Sequence, residues 1–228
     1  MPAPPEIVAE RIKAVQKTIP APVTLIAVTK QVPANLIRLA YDFGIRDFGE
    51  SKIQEAADKQ AQLSDLPGIT WHLIGHLQSN KARRALSQFR WIHSVDSLKI
   101  AQRLNQIAQD DAAPNALKPS VCLQVKLRPD PNKYGWSPEE LLQDLPQLNQ
   151  CDRLSIQGLM VIPPYGLPAD EARQVFADAR QLSDKIRQLP FPSIQMAQLS
   201  MGMSDDYLLA IAEGATMVRL GRTLFGER

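Results

Sequence analysis

The feature that most constrains this chain is a regular alternation of apolar, strand-like runs with amphipathic, helix-like segments. Eight strand-like runs are predicted, at 23–30, 45–50, 70–75, 91–95, 121–127, 156–162, 194–200 and 216–220. Helix-like segments separate them, and another, at 5–18, precedes the first strand. Eight strands joined by helices predict a closed parallel (β/α)8 barrel, or TIM barrel, with an N-terminal helix before it.

An open, doubly wound sheet is the other architecture that such an alternation allows. We favour the barrel because the strand count is eight and because polar residues follow the C-terminal ends of many strands. An open sheet would gather them at one switch point. The length of 228 residues fits one α/β barrel better than two small domains, so residues 1–228 are predicted to form a single domain.

Local residue signals set several helix ends. Pro33 is predicted to open a helix that stops at Gly44. Asp96 is a candidate N-cap for a helix over 97–109, and Ser137 followed by Pro and two Glu predicts another capped start. Further helices are predicted over 51–63, 80–89, 170–188 and from the seventh strand through Ala212.

Composition excludes several classes of protein. The net charge is +2, with Lys and Arg interspersed among Asp and Glu, so no nucleic-acid partner is predicted. No apolar run approaches the ~18 residues of a membrane span, and the N-terminus has no secretory pattern. The two cysteines do not make a disulfide framework, and Cys122 is predicted to be a small core residue. These features predict a cytoplasmic protein.

Lys30 ends the first predicted strand, which is apolar on both faces. Most lysines at strand ends lie on the surface. A lysine held over an apolar barrel mouth is different, because desolvation favours its neutral amine, a nucleophile toward carbonyl carbons.

Two C-terminal stretches, 199–207 and 218–226, have the composition of a phosphate site. Hydroxyls, glycines and backbone N–H groups there suit a dianion. The candidate donors are Ser200, Ser204, Gly221, Arg222 and Thr223. Ser204 is equally a plain helix start before two Asp residues, which leaves Ser200 and the turn over 221–223 as the better candidates. A Schiff-base lysine beside a phosphate site is what pyridoxal 5′-phosphate requires.

Arg219 lies within the eighth predicted strand, on the same face as Met217 and Gly221. An arginine in a barrel strand often serves as an ion-pair partner, and that interpretation stays open. In the functional interpretation its guanidinium faces the pyridine nitrogen of the cofactor and keeps that nitrogen unprotonated, since a permanent cation accepts no proton.

The second and third strands also end in polar residues. Gly49 is predicted to let the backbone approach a ligand, with Glu50 and Ser51 pointing into the mouth. A capping box between Ser51 and Gln54 is the alternative. His72 and His76 are four apart, a metal spacing on a helix, but a strand-to-loop transition separates them, so no metal site is predicted. His93 is predicted to be a hydrogen-bonded interior residue.

Six motifs, taken in register, resemble a known family. They are Ala27-Val-Thr-Lys30, Phe48-Gly-Glu-Ser-Lys-Ile-Gln-Glu55, Trp71-His-Leu-Ile-Gly75 with Leu77-Gln-Ser-Asn-Lys81, Gly158-Leu-Met-Val-Ile-Pro163, Leu199-Ser-Met-Gly-Met-Ser204, and Val218-Arg-Leu-Gly221 with Leu224-Phe-Gly-Glu-Arg228. The chain resembles the pyridoxal-phosphate homeostasis proteins, single-domain relatives of the barrel domain of bacterial alanine racemases. The resemblance covers the chain from about Val23 to its last residue.

The resemblance implies a (β/α)8 barrel that carries pyridoxal 5′-phosphate as a solvent-accessible Schiff base. The implied cofactor-binding residues are Lys30 at the aldehyde carbon, Ser51 beside the ring where many members have Asn, Arg219 at the pyridine nitrogen, Ser200, Gly221, Arg222 and Thr223 at the phosphate, and Met201. It also implies a cytoplasmic, often monomeric protein of vitamin B6 and amino/keto-acid homeostasis, with pyridoxal-phosphate-dependent apoenzymes as candidate recipients. The loop Arg128–Trp136 keeps a Lys133-x-Gly135 element but differs in its prolines.

Three functions fit this pattern. A racemase needs acid/base groups on both faces of the substrate Cα, and alanine racemases supply the second from a tyrosine of another subunit and carry an extra β domain. We expect no such domain after Arg228, and we expect Tyr165, which follows the sixth strand, to lie on the surface. A Schiff-base aldolase is the third alternative, although its lysine usually comes from a mid-barrel strand. The sequence therefore predicts a cofactor carrier with no catalytic residue of its own, because an open mouth suits exchange better than carbanion control.

Overall fold

The computed structural model describes residues 3–111, 117–130 and 133–227. Its eight strands are β1 Thr24–Val28, β2 Asp47–Glu50, β3 Thr70–Leu73, β4 Trp91–Val95, β5 Ser120–Val125, β6 Ser155–Val161, β7 Ile194–Ser200 and β8 Met217–Leu220. Each strand pairs in parallel with the next, and β8 closes the sheet against β1. The (β/α)8 barrel predicted from the alternation is confirmed, and the open-sheet alternative is wrong.

Helices surround the barrel, and one precedes it as predicted. In the described ranges they are α1 Pro5–Thr18, α2 Ala34–Asp42, α3 Ile53–Gln62, α4 Ala82–Gln88 after a 3₁₀ turn at Ser79–Lys81, α5 Leu98–Asp110, α6 Pro138–Leu148, α7 Ala169–Arg187, α8 Tyr207–Ala212 and α9 Arg222–Phe225. Within those same ranges, none is long and apolar enough to cross a membrane.

Two helix starts show how far local signals reach. At α6 the capping box forms as predicted: the Ser137 hydroxyl accepts from the Glu140 N–H at 3.2 Å, and the Glu140 carboxylate accepts from the Ser137 N–H at 2.8 Å. At α5 the predicted cap was wrong. The carboxylate of Asp96 instead lies 2.8 Å from Nδ1 of His76. Because it is bound to this residue of the β3–α4 connection, it does not cap the N-terminus of α5.

Burial follows the two-sided environment of a parallel barrel. Every residue of β5 is buried, since one face points into the barrel and the other packs against helices. The large apolar side chains Phe48, Phe176 and Phe225 are fully buried. The barrel interior also holds polar side chains, among them His72 and His93.

The first and last helices of the described ranges pack against each other beside the barrel. Helix α9, a short helix that the sequence did not predict, contacts α1, and the Ala3 N–H donates to the carbonyl of Phe225 at 2.9 Å. Because α9 begins directly after Gly221, this contact fixes the end of β8 next to the barrel mouth.

Candidate ligand-binding site

A pocket of about 480 Å³ opens at the C-terminal mouth of the barrel. Its lining includes Lys30 after β1, Ser51 after β2, Tyr165 after β6, Ser204 after β7, Arg219 in β8, and Gly221 and Arg222 after β8. The C-terminal face is where (β/α)8 barrels place their functional residues. The volume lies in the range of about 300–1,000 Å³ that is typical of small-molecule sites.

Lys30 lies two residues beyond the end of β1, which is shorter than the predicted strand, and its side chain lines the pocket. The backbone on both sides of it is held by α3. Nζ of Lys59 donates to the carbonyl of Thr29 at 2.5 Å, and the Gln31 N–H donates to the carboxylate of Glu55. Gln31 itself has φ 58°, a left-handed conformation that non-glycine residues seldom adopt. Lys30 therefore sits on a braced turn.

Lys59 is the centre of this brace. Its side chain is buried, and its ammonium donates to the Thr29 carbonyl, to Oε1 of Glu50 at 2.7 Å and to Oε1 of Glu55 at 2.6 Å. Those three bonds use all three ammonium hydrogens. The sequence analysis did not predict a role for Lys59. Its position four residues after Glu55 and three after the buried Ala56 places it on the same face of α3 as both, which could have indicated a buried ion pair.

Glu50 belongs to the same cluster, which corrects its predicted position in the mouth. Its carboxylate is fully buried, and Oε1 also accepts from the Thr29 hydroxyl at 2.6 Å. Oε2 has no hydrogen-bond partner among the described residues. Burial raises the pKa of Glu50, against the opposing effect of the Lys59 and Thr29 hydrogen bonds.

Arg219 reaches the pocket from inside the barrel wall and is only 4% exposed. Nη1 donates to the Ser200 hydroxyl at 2.7 Å, and Nη2 donates to the carbonyl of Val161 at 2.9 Å. Both acceptors are neutral, so these bonds do not form the ion pair that the alternative interpretation requires. Burial lowers the pKa of Arg219 to about 10, which leaves it cationic at neutral pH.

Ser200 and Met201 lie deeper than the sequence predicted. Both are fully buried and outside the pocket lining. The Ser200 hydroxyl is engaged by Arg219 and by Nδ1 of His93 at 2.8 Å, and the Met201 N–H donates to the carbonyl of Met217 at 3.1 Å. The Ser200 hydroxyl therefore contacts Arg219 and His93 rather than the pocket, where the sequence predicted a phosphate donor. Ser204, the weaker of the two serine candidates in the sequence, is the one that lines the pocket.

The loop between β7 and α8 is held close to β8. Gly202 has φ 91°, and a Cβ on it would lie 2.6 Å from Cβ of Ala210. Its carbonyl accepts from the Arg219 N–H at 3.0 Å. Only glycine fits there, because both the conformation and the contact exclude a side chain.

The residues predicted to bind phosphate are joined across this mouth. The Thr223 N–H donates to the Ser204 hydroxyl at 3.3 Å, and the Thr223 hydroxyl lies 3.3 Å from the Ser204 carbonyl. Arg222 pairs with the exposed carboxylate of Asp205. Ser204, Gly221 and Arg222 line the pocket, and Thr223, outside the lining, is hydrogen-bonded to Ser204.

Ser51, which follows β2, also lines the pocket. The chain passes so close to β3 there that a Cβ on Gly75 would lie 2.2 Å from the Ser51 carbonyl oxygen. Helix α3 begins at Ile53 without a side-chain cap, so the capping-box alternative for Ser51 is wrong. Gly49 was expected to let the backbone approach a ligand. Its missing side chain instead makes room for Ile26, since a Cβ on Gly49 would lie 3.0 Å from that side chain.

The histidines occupy two different environments. His93 is a buried, hydrogen-bonded interior residue, as predicted, and its Nε2 lies 2.9 Å from Nδ1 of His72. His76 lies at the surface near the mouth, stacked on Tyr134 with ring centroids 3.6 Å apart. Burial lowers the pKa of both His72 and His93. Over the described ranges, no group of three or more metal-ligating side chains comes together.

The loop after β5 braces the mouth from the side of β6. Residues 131 and 132 of the predicted loop Arg128–Trp136 lie outside the described residues. Nζ of Lys133 donates to the carbonyl of Ile162 at 3.2 Å and to that of Pro163. Ile162 lines the pocket, so the Lys133-x-Gly135 element has a structural role beside it.

Known proteins share this sequence and architecture. The family model described as the alanine racemase N-terminal domain matches residues 6–228. A pyridoxal phosphate homeostasis protein of Synechocystis sp. is 49% identical over 212 residues, which cover 92% of this chain and 94% of the relative. The protein of the same name from Pseudomonas aeruginosa is 45% identical over 210 residues, which cover 92% of this chain and 86% of that relative. The structure of PipY from Synechococcus elongatus with pyridoxal phosphate bound has a TM-score of 0.89 at 51% identity and covers 96% of this chain and all of that one.

Proposed function

This chain belongs to the pyridoxal phosphate homeostasis protein family, and from that premise we propose that it binds pyridoxal 5′-phosphate in the mouth pocket, covalently through Lys30. The observation that carries the proposal is that Lys30 and Arg219 line one pocket with Ser204, Gly221 and Arg222. An amine, a buried cation and a set of phosphate donors match the aldehyde, ring nitrogen and phosphate of this cofactor. When bound, the cofactor supplies an aldehyde carbon that is electrophilic toward an amine.

Each residue has a role that its position supports. Lys30 would hold the aldehyde end from its braced turn, and Arg219 would donate toward the ring nitrogen. Ser204, Gly221 and Arg222, which line the pocket, would hold the phosphate, with Thr223 hydrogen-bonded to Ser204, and Ser51 would contact the ring. Ser200 and Met201 are buried outside the pocket lining. Ser200 would affect cofactor binding through its hydrogen bond with Arg219, and Met201 through packing.

The chain acts as a carrier and regulator of the cofactor in vitamin B6 and amino/keto-acid homeostasis, without turnover. Acid/base catalysis at a substrate Cα needs a second proton carrier in a site that excludes water. Tyr165, which lines the pocket, is 97% exposed and is therefore not held in place for that work. The exposed rim suits delivery of the cofactor to pyridoxal-phosphate-dependent apoenzymes, from a cytoplasmic monomer.

The attachment is tested by absorbance. The purified protein incubated with pyridoxal 5′-phosphate is expected to show a visible chromophore that borohydride removes, leaving an adduct that peptide mapping locates at Lys30. Lys30→Ala is expected to lose both signals, and the matched control Lys52→Ala, which changes an exposed lysine outside the pocket lining, is expected to keep them. A protein that takes up no cofactor and stays colourless would overturn the proposal and bring the aldolase alternative forward.

Turnover and transfer are separated by a second pair of assays. The loaded protein is incubated with L-alanine, and D-alanine is measured by chiral chromatography. In parallel it is mixed with a pyridoxal-phosphate-dependent apoenzyme, whose activity reports transfer. We expect transfer without racemisation. Racemisation that disappears in Tyr165→Phe would instead assign the racemase function, with Tyr165 as its second proton carrier.

A further inference from the structure

A continuous line of hydrogen-bonded side chains runs through the interior of the barrel. Nε2 of His72 lies 2.9 Å from Oδ1 of Asp47, and Nδ1 of His72 lies 2.9 Å from Nε2 of His93. Nδ1 of His93 lies 2.8 Å from the Ser200 hydroxyl oxygen, which is 2.7 Å from Nη1 of Arg219. Four side-chain contacts thus connect residues of β2, β3, β4, β7 and β8.

The line connects the two ends of the barrel. Asp47, the first residue of β2, is partly exposed and lines a cavity of about 380 Å³ at the N-terminal end. Arg219 lines the mouth pocket at the other end. His72, His93 and Ser200 between them are buried, so every polar atom in the middle of the line needs a partner within it.

The two ends fix which way each hydrogen bond points. A guanidinium only donates, so the Ser200 oxygen accepts from Arg219 and its own hydrogen is left to donate to Nδ1 of His93. His93 then carries its hydrogen on Nε2 and donates to Nδ1 of His72. His72 in turn carries its hydrogen on Nε2 and donates to the carboxylate of Asp47, which only accepts.

The reverse order fails at the Asp47 end. If His93 donated from Nδ1 to Ser200, His72 would have to donate from Nδ1 to His93, and its bare Nε2 would face the carboxylate. Two acceptors 2.9 Å apart share no hydrogen, and the Ser200 hydrogen would be left without its acceptor on His93. Protonating a histidine would fill such a gap, but burial of both rings opposes a charge there.

We propose that Ser200 and His93 are positioning residues, which hold the Arg219 guanidinium in one orientation toward the mouth through a single ordered line of donors that ends at Asp47. The oxygen of Ser200 fixes Nη1, and the carbonyl of Val161 fixes Nη2. Two fixed bonds set the plane of the guanidinium, and the ring nitrogen of the cofactor meets a donor whose direction is already set. The part of this inference that concerns the cofactor rests on the function proposed above.

The proton order is tested on the protein without any ligand. The chain has three histidines, so ¹⁵N-histidine labelling and long-range ¹H–¹⁵N spectra give one signal set for each. At pH 7.5 His72 and His93 are expected to be neutral, with hydrogen on Nε2 and a bare Nδ1. The exposed His76 serves as an internal reference. A hydrogen on Nδ1 of either buried ring would overturn the order, whatever ligand the protein binds.

The positioning role is tested with two ligands, pyridoxal 5′-phosphate and its analogue in which C–H replaces the ring nitrogen. Ser200→Ala is expected to weaken binding of the first by about tenfold, the order expected for one hydrogen bond to a charged group, and to leave the affinity for the analogue unchanged. A merely structural role would weaken both equally, and that result would overturn the inference. The matched control is Ser183→Ala, which removes another buried hydroxyl, bonded to the Met196 carbonyl, on the α7 side of β7. It is expected to change neither affinity.

The outcomes separate this inference from the function proposed above. If the parent chain binds neither ligand, the proposed function fails, while the histidine spectra still decide the proton order. If the parent binds both and Ser200→Ala weakens both, the cofactor function stands and the positioning role is rejected. Should Ser200→Ala fail to fold, His93→Gln provides the same comparison of the two ligands.

Discussion

At the residue scale, the turn that carries Lys30 depends on one buried cation. Lys59 supplies all three of its hydrogens to Thr29, Glu50 and Glu55, and Glu55 in turn accepts from the Gln31 N–H. Both peptide groups beside Lys30 are thus tied to α3. The proposed nucleophile needs a fixed position, and Lys59 provides it without lining the pocket itself.

Lys59→Met removes these three donors and leaves the carboxylate of Glu50 buried without its cation. Breaking one partner of a buried ion pair is expected to lower the free energy of unfolding by about 3–5 kcal/mol. Urea denaturation followed by circular dichroism measures the loss. The matched control is Lys99→Met, which changes an exposed lysine on α5 and is expected to stay within about 0.5 kcal/mol of the parent. Equal midpoints for the two variants would contradict the central role of Lys59.

At the scale of elements, the mouth is built from short connections that follow the strands. The β7–α8 loop approaches β8 because Gly202 has no side chain, and it brings Ser204 to the pocket and its own carbonyl to the Arg219 N–H. Helix α9 then turns the chain away directly after Gly221. The residues proposed to bind phosphate are positioned by this packing rather than by either helix alone.

Gly202→Ala tests that packing. The new Cβ would lie 2.6 Å from Ala210, so the loop must shift and the affinity for pyridoxal 5′-phosphate is expected to fall about tenfold or more, together with a loss of about 1–3 kcal/mol of stability. Gly44→Ala is the matched control, because Gly44 has nearly the same φ, 89°, with nothing within 4 Å of its Cβ position. It is expected to show the backbone cost without the loss of affinity, as measured by equilibrium titration. Unchanged binding by Gly202→Ala would show that the loop position does not matter.

At the scale of the whole molecule, the barrel encloses polar groups that a smaller fold would leave in water. His72 and His93 lie in its interior, where burial lowers the pKa of both. In the unfolded chain a histidine titrates near pH 6.5. Below that value the unfolded state therefore binds protons that the folded state does not, and stability falls as the pH falls.

The free energy of unfolding is accordingly expected to decrease between pH 7 and pH 5, with a slope of up to about 1.4 kcal/mol per pH unit for each buried histidine. Glu50 acts in the opposite direction, because its raised pKa lets the folded state take up a proton first. The comparison with His93→Gln isolates the histidine contribution: that variant is expected to have about half the slope. Denaturant titrations at intervals of half a pH unit measure both, and parallel curves would contradict the prediction.

Much of this architecture was predictable from local pattern. The alternation of strands and helices gave the barrel, and Ser137 with Glu140 gave the start of α6, because periodicity and capping depend on residues close in sequence. Lys30 was predicted from its place at the end of the first strand, and Arg219 from its place within the eighth. The structure brings both into the lining of one pocket.

Other features depended on contacts between residues far apart in the chain. The sequence alone determined the fold class and the residue types available for chemistry. The tertiary structure decided that the Ser200 hydroxyl faces His93 and Arg219, that Glu50 is bound by Lys59, and that Asp96 serves His76 rather than α5. Strand polarity fixes which end a residue occupies, but hydrogen-bond partners are chosen by side chains that closure of the barrel brings together.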